Sequence, residues 1–178
     1  MKRNITILVS LLAMIVIFAG CSSKIEDELI TVQTDMKENV ADSMTGVADD
    51  FEQKGMEVEN GEISPEEFID FYEAEVQPVI DEKRQYLADY EAPSTDEAKE
   101  YYTVLTDGMN LALDVIEDSA NLMVGLLDDS MSEEEFFELG EELESVVDEL
   151  DKKDEEITKM QSDLEDEYNI EFEDIELE

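Results

Sequence analysis

Apolar residues recur every three or four positions over long stretches of this chain, and each stretch closes on a helix stop and restarts on a helix cap. From Ile25 they fall at Leu29, Val32, Met36, Val40, Met44, Val47 and Phe51, the spacing of one face of an α-helix. Acidic residues fill the other faces. Gly46 is a local weak point, and the stripe dissolves at Asn60-Gly61, a good helix stop. Ser64-Pro65-Glu66-Glu67 then supplies an N-cap serine, a proline at the first helical position and a glutamate that closes a capping box. The stripe that follows is Phe68, Tyr72, Val76, Val79, Tyr86 or Leu87, and Tyr90, interrupted by Pro78. Proline inside a helix costs about 3 kcal/mol unless the chain bends around it. A kink one turn before Pro78, or a break at Gln77, is therefore expected.

Ala92-Pro93 ends that segment, and Ser94-Thr95-Asp96-Glu97 repeats the capping-box pattern. The next stripe includes Ala98, Tyr102, Leu105, Met109, Ala112, Ile116, Ala120, Met123 and Leu127. Tyr101, Val104, Leu113, Val115, Leu122 and Leu126 widen it, so this helix is expected to be the most buried. Gly108, Ala112, Ser119, Ala120 and Gly125 would let a neighbouring helix come close. A third box stands at Ser132-Glu133-Glu134-Glu135, followed by Phe136, Leu139, Leu143, Val146, Leu150, Ile157, Met160 and Leu164. That near-heptad spacing suits a long antiparallel seam, weakest at the charged run from Asp151 to Glu156. Short links between four helices favour antiparallel neighbours. The fold class expected is all-α, an antiparallel up-down-up-down four-helix bundle, and a body of this length suits one domain with one core. Tyr168, Ile170 and Phe172 alternate with polar residues but have no second strand to pair with, so the end reads as an irregular acidic tail that docks its apolar residues on the bundle.

The N-terminus is built differently. Lys2 and Arg3 precede an apolar run from Ile5 to Phe18, then come Ala19, Gly20 and the only cysteine, Cys21. The run is about two-thirds of the roughly 20 residues a helix needs to cross a bilayer. A cleaved export signal fits better than a permanent span. Ile17-Phe18-Ala19-Gly20-Cys21 resembles the lipobox of bacterial lipoproteins, with Phe18 where that family usually has leucine. The resemblance implies that the Cys21 sulfur receives a diacylglyceryl group and that the chain is cut after Gly20, so that the body is held to the membrane through lipid on Cys21. Two acyl chains make such an attachment stable where one is marginal. A lone cysteine carrying a thioether has no thiol left for a disulfide or for catalysis. The chain thus divides into a signal peptide at 1–20, a lipid-anchored linker at 21–24, a bundle at 25–166 and a tail at 167–178. The helices of the bundle cover about 25–59, 65–90, 95–128 and 133–166. The location implied is extracytoplasmic, on the cell membrane. Ser22 and Ser23 resemble residues that permit sorting to an outer membrane in a cell that has one, but the shape of the signal leans towards a Gram-positive surface.

Charge and vocabulary limit the chemistry. With 52 acidic residues against 11 basic ones and a formal net charge of -41, the chain repels phosphate backbones and anionic headgroups. Nucleic acid is excluded as a partner, and membrane contact comes from the lipid. There is no histidine, so a Ser-His-Asp triad, a Cys-His pair and histidine-bound zinc are ruled out. Neither a dinucleotide fingerprint nor a P-loop occurs. Asn60 to Phe68 resembles the second half of an EF-hand loop, with Asn60-Gly61 at its turn and Glu67 at its closing position. Carried back, however, that loop would begin at Met56 and put Val58 third, and neither offers a side-chain oxygen to a calcium ion that takes roughly six to eight. Asn60 and Glu67 are therefore rejected as metal ligands, and no cofactor or metal is expected. Paired carboxylates are too common here to mark a catalytic pair, which would in any case need a cleft. Asp81, three residues before Arg84, is placed to pair with it on a helix surface; the alternative is that Lys83-Arg84 forms a recognition spot in an acidic field. Met36, Met44, Met109, Met123 and Met160 lie on the stripes and read as core filling rather than an adaptable groove.

Beyond the signal, the body resembles other small, acidic, helical lipoproteins of low-GC Gram-positive bacteria. That resemblance rests on pattern and carries over no functional residue. It implies a non-enzymatic lipoprotein that meets an unknown protein or envelope partner, or serves as a structural module. The alternative is a low-affinity binder of divalent cations or of a cationic ligand through clustered carboxylates, with a carboxylate-based hydrolase third. One consequence is measurable. Screening shortens the reach of like-charge repulsion, so added salt should raise the melting temperature in circular dichroism. A flat or falling melting point would mean that repulsion does not limit the fold.

Overall fold

The computed structural model describes residues 23–128, 130–173 and 175; the segment expected to be a signal peptide, and Cys21, lie outside the described residues. The described chain is all-helical, with no strand among these residues. Helix α1 is helical from 23 to 59, with a π-helical stretch over Lys37–Ala41 and regular α-helix again over Asp42–Glu59. Helix α2 runs α-helical over Pro65–Phe71, π-helical over Tyr72–Val76 and α-helical over Gln77–Asp89. Helix α3 covers Asp96–Leu127 and α4 covers Glu133–Tyr168. Part of the expected linker is thus helix, since residues 23 and 24 already belong to α1.

The two π-stretches fall inside runs of buried residues four apart, although Tyr101, Leu105, Met109 and Leu113 make a third such run in α3, which is buried on a broader side and stays α-helical. Val32, Met36, Val40 and Met44 are all buried, and they stand four apart. An α-helix turns about 100° per residue, so each step of four carries a side chain about 40° past the last. Three such steps would swing Met44 about 120° away from Val32, beyond the width of a core-facing strip. The longer hydrogen-bonded turn of a π-helix slows that rotation. Phe68, Tyr72, Val76 and Ile80 repeat the arrangement in α2, and all four are buried. There Pro78 adds a second cause, because it has no N–H to donate one turn back and its ring crowds the carbonyl there. The disturbance expected before Pro78 takes the form of this π-turn, and the helix runs through Gln77 without a break. The added residue also corrects the stripe: Ile80 is buried where Val79 was expected, and Val79 is half-buried.

The caps divide into two kinds. Ser64 and Ser132 each form a reciprocal capping box, with Glu67 and Glu135 respectively. The box expected at Ser94 does not form. Thr95 is the N-cap of α3, so the third helical position falls on Ala98, which is fully buried, and not on Glu97. The donors turn to α1 instead. Glu28 accepts from the Ser94 N–H (3.1 Å) and Oγ (2.5 Å), and from the Thr95 N–H (2.8 Å) and Oγ1 (2.7 Å).

Helix α3 supplies the largest share of the core, from Ala98 and Tyr101 to Ala120 and Gly125. Its main neighbour is α4, which buries only Leu150 and Ile157. These two flank the charged run at which the seam was expected to be weakest. Lys153 within that run reaches Asp107 on α3 (3.9 Å) and Glu156 (2.7 Å). The thinly buried part of α4 is its first half, where Phe136, Leu139, Leu143 and Val146 are half-buried and Phe137 is 62% exposed. After Asn169, in the left-handed conformation (φ 53°), the chain is irregular and packs Ile170, Phe172 and Ile175 against the core. The Phe172 ring lies 5.0 Å from that of Tyr101, and Gln33 Nε2 donates to the Glu173 carbonyl (2.6 Å).

The contact at Glu28 has a signature in pH. The Ser94 hydroxyl, the Thr95 N–H and the Thr95 hydroxyl hold its carboxyl down to about 2. A carboxyl whose folded pKa is depressed contributes its stability above its unfolded value and loses it as pH falls through the folded one. Glu28→Gln should therefore cost about 1 kcal/mol at neutral pH, as the loss of a helix cap does. Thermal melts should show that cost narrowing between about pH 4.5 and about pH 2. A gap that stays constant over this range would mean that the carboxylate is not the cap.

Candidate functional site

From Asp42 onward α1 approaches α2 more closely than it does α3 or α4. The Phe51 ring sits 5.4 Å from that of Phe68 on α2. Farther along, Gly55 allows α3 to come close, since a Cβ there would meet Met123 Cε at 3.1 Å. Before that contact a cavity of about 590 Å³ lies between α1, α3 and α4, within the range of roughly 300–1,000 Å³ usual for small-molecule sites. Helix α1 lines it with Met44, Ala48 and Phe51, and α3 with Ala112, Val115, Ile116 and Ser119. Ala112 and Ser119 were expected to receive a neighbouring helix; with Ala48 opposite, these small side chains instead leave the space open.

Helix α4 closes the cavity and gives it its charge. Val147 and Leu150 face it with apolar surface, and then the stripe is interrupted. The next seam position after Leu150 falls at Lys153 or Asp154 rather than at a large apolar residue. No knob fills the gap, and Asp151, Asp154 and Glu155 stand at the edge of the cavity. Among the described residues none of these three carboxylates has a hydrogen-bond or ion-pair partner, and the nearby Lys153 is turned to Asp107 and Glu156. Asp154 is half-buried, and its carboxyl is pushed up by that burial first and then by Asp151 and Glu155. Asp151, Glu155 and Val147 are exposed and mark the mouth. Thr45, also exposed at the rim, gives its hydroxyl to the Ala41 carbonyl of its own helix (3.1 Å). The arrangement offers an apolar body of space with negative charge on one side.

The residues singled out by sequence fall elsewhere. Cys21 lies outside the described residues. Asn60 is the C-cap of α1, and Gly61 takes a positive φ of 70° in the turn that follows. The Glu67 carboxylate accepts from the Ser64 N–H (2.8 Å), which holds its pKa below the usual range. Among the described residues no group of three or more metal-ligating side chains is placed to hold an ion. Arg84 does not pair with Asp81 as expected. It reaches across to α3, to Asp114 (2.5 Å) and Glu117 (2.6 Å), because a guanidinium between two helices can serve two carboxylates at once. Lys83 pairs with Glu82 (2.9 Å). Of the five methionines singled out on the stripes, Met36, Met44 and Met109 are buried, while Met123 and Met160 are half-buried; Met44 is both core and cavity wall. Sequence reasoning missed the cavity itself, although the interruption of the α4 stripe was the signal for it.

The chain matches no family model, no curated protein and no solved structure with which it was compared.

An unfilled apolar space can be filled. Ala48→Leu keeps helix propensity and places apolar atoms in the cavity, so it should stabilise the protein by about 1 kcal/mol and raise the melting temperature by about 2–4 °C. A lowered melting point would show that the space is not there to be filled.

Proposed function

We propose that the chain is a non-enzymatic, lipid-anchored extracytoplasmic lipoprotein whose helical body is a binding module at the cell envelope, with the cavity between α1, α3 and α4 as its working surface. The observation that carries this is the cavity: apolar walls on three helices, small side chains that leave it unfilled, and an edge of unpaired carboxylates. The anchor rests on the lipobox resemblance at Cys21. Since no described helix is long and apolar enough to cross a membrane, the lipid is what would hold the body there.

The helices are read as an antiparallel up-down-up-down bundle. In support, Lys24 on α1 meets Ser94 at the start of α3 (2.5 Å), while Gly55 meets Met123 near the ends of both helices. Asp35 on α1 meets Tyr90 past the end of α2 (2.9 Å), and Phe51 meets Phe68 at its start. Tyr101 and Asp107 on α3 meet Gln161 and Lys153 on α4 in reversed order.

Two measurements test the reading. Mass spectrometry of the native protein should find a mature chain that starts at Cys21 with a diacylglyceryl thioether; an intact leader with a free thiol would remove the envelope assignment. Calorimetric titration of the lipidated chain in nanodiscs with the neutral probe 2-(1-naphthyl)ethanol should show one saturable site beyond the empty-nanodisc blank. Ala48→Phe should abolish it. No saturable binding would sink the cavity as a working surface.

A further inference from the structure

We infer that the ligand of this cavity is an amphiphilic cation, a molecule with one apolar body that fills the space between α1, α3 and α4 and one positively charged group that meets Asp151, Asp154 and Glu155. The inference rests on the binding-module reading and deepens it by naming the class of ligand.

Size and shape select a small molecule. The space is about 590 Å³, and its walls at Met44, Phe51, Ile116 and Leu150 offer aliphatic and aromatic surface to an apolar body. Charge then selects the head. Asp151, Asp154 and Glu155 occupy positions i, i+3 and i+4 of α4, so they share one face of the helix. Like charges this close repel one another, and a protein relieves such a cluster with a cation of its own or leaves it in open water. Neither holds for Asp154, which is half-buried and unpaired among the described residues while its neighbour Lys153 is committed to Asp107 and Glu156. Asp118 on α3 is also half-buried and crowded by acids, but it does not border the cavity and Arg84 offsets part of that crowding. Asp114 and Glu117 are served by Arg84, and Glu57 by Lys54. The burial and crowding that push the Asp154 carboxyl up are the penalty a bound cation would remove. An anionic ligand would meet repulsion at the mouth, and a neutral one would leave the carboxylates as they are.

Three probes of one shape separate the possibilities: 2-(1-naphthyl)ethylammonium, 2-(1-naphthyl)ethanol and 1-naphthylacetate, titrated into the lipidated chain in nanodiscs of zwitterionic lipid against empty nanodiscs. The ammonium should bind about tenfold more tightly than the alcohol, and the acetate about tenfold more weakly, as a partly desolvated charge pair at the mouth allows. The double variant Asp151→Asn with Asp154→Asn should bring the ammonium down to the affinity of the alcohol. A native circular-dichroism spectrum and melting transition report that the variant is folded. Equal binding of ammonium and alcohol to the native chain would overturn the inference while leaving the cavity reading intact. An ammonium preference that survives the double variant, or that survives Ala48→Phe, would overturn it as adsorption to the acidic surface. Failure of all three probes to bind would remove both readings.

Discussion

The long helices of this chain must keep an apolar strip turned inward while carboxylates crowd their other faces, and the rest of the structure depends on that constraint of phase. Over a short helix any mixture of three- and four-residue steps will serve. Over a long one the drift of the α-helix accumulates, and runs of consecutive fours carry side chains off the face they must share. The chain has π-turns at Lys37–Ala41 and Tyr72–Val76, inside two runs of fours whose residues are all buried, whereas a third such run, Tyr101, Leu105, Met109 and Leu113, stays α-helical in α3, which is buried on a broader side. The second also relieves Pro78. A feature that would otherwise read as a local irregularity is the means by which α1 and α2 stay in contact with α3.

Among the described residues, two of the few basic ones make ion pairs between helices, while Lys24, Lys37, Lys54, Lys83 and Lys99 pair within their own. Arg84 joins α2 to α3 through Asp114 and Glu117, and Lys153 joins α4 to α3 through Asp107. Where no cation is at hand, a carboxylate can still be useful, because the unpaired N–H groups at a helix start attract negative charge. Glu28 does this across helices at the start of α3, and Glu67 and Glu135 do it within their own. The remaining acids lie mostly on exposed faces, where water and salt moderate their repulsion. Asp151, Asp154 and Glu155 differ in standing beside apolar space with no counter-charge.

That exception and the cavity have one origin. Helix α4 reads as a packing partner for α3 up to Leu150 and again from Ile157, and between them it presents acids where a large apolar side chain would complete the seam. Ala48, Ala112 and Ser119 do not fill the space from the other side. A gap in the stripe thus becomes both the volume and the charge of a site. A cavity so placed trades stability, through contacts not made, for the capacity to receive something else. The half-buried first half of α4, with Phe137 exposed, belongs to the same pattern of an incompletely covered face.

Helix number, approximate ends, the capping boxes at Ser64 and Ser132 and the dominance of α3 were legible in the chain because each depends on residues within a turn or two of one another. The π-turns were not legible from the runs of fours, since the run from Tyr101 to Leu113 stays α-helical. The partner of Arg84, the replacement of the Ser94 box by Glu28, and the cavity were not legible. Each depends on which residues of separate helices come to the same height, and periodicity along one helix says nothing about its register against another. Sequence alone determined that this chain is helical, acidic, poor in catalytic side chains and headed by an apolar run that ends shortly before Cys21. Only the packing of α1, α3 and α4 decided that an interrupted stripe would leave an open apolar space edged by carboxylates, since whether a missing side chain leaves a void depends on what the facing helices bring to meet it.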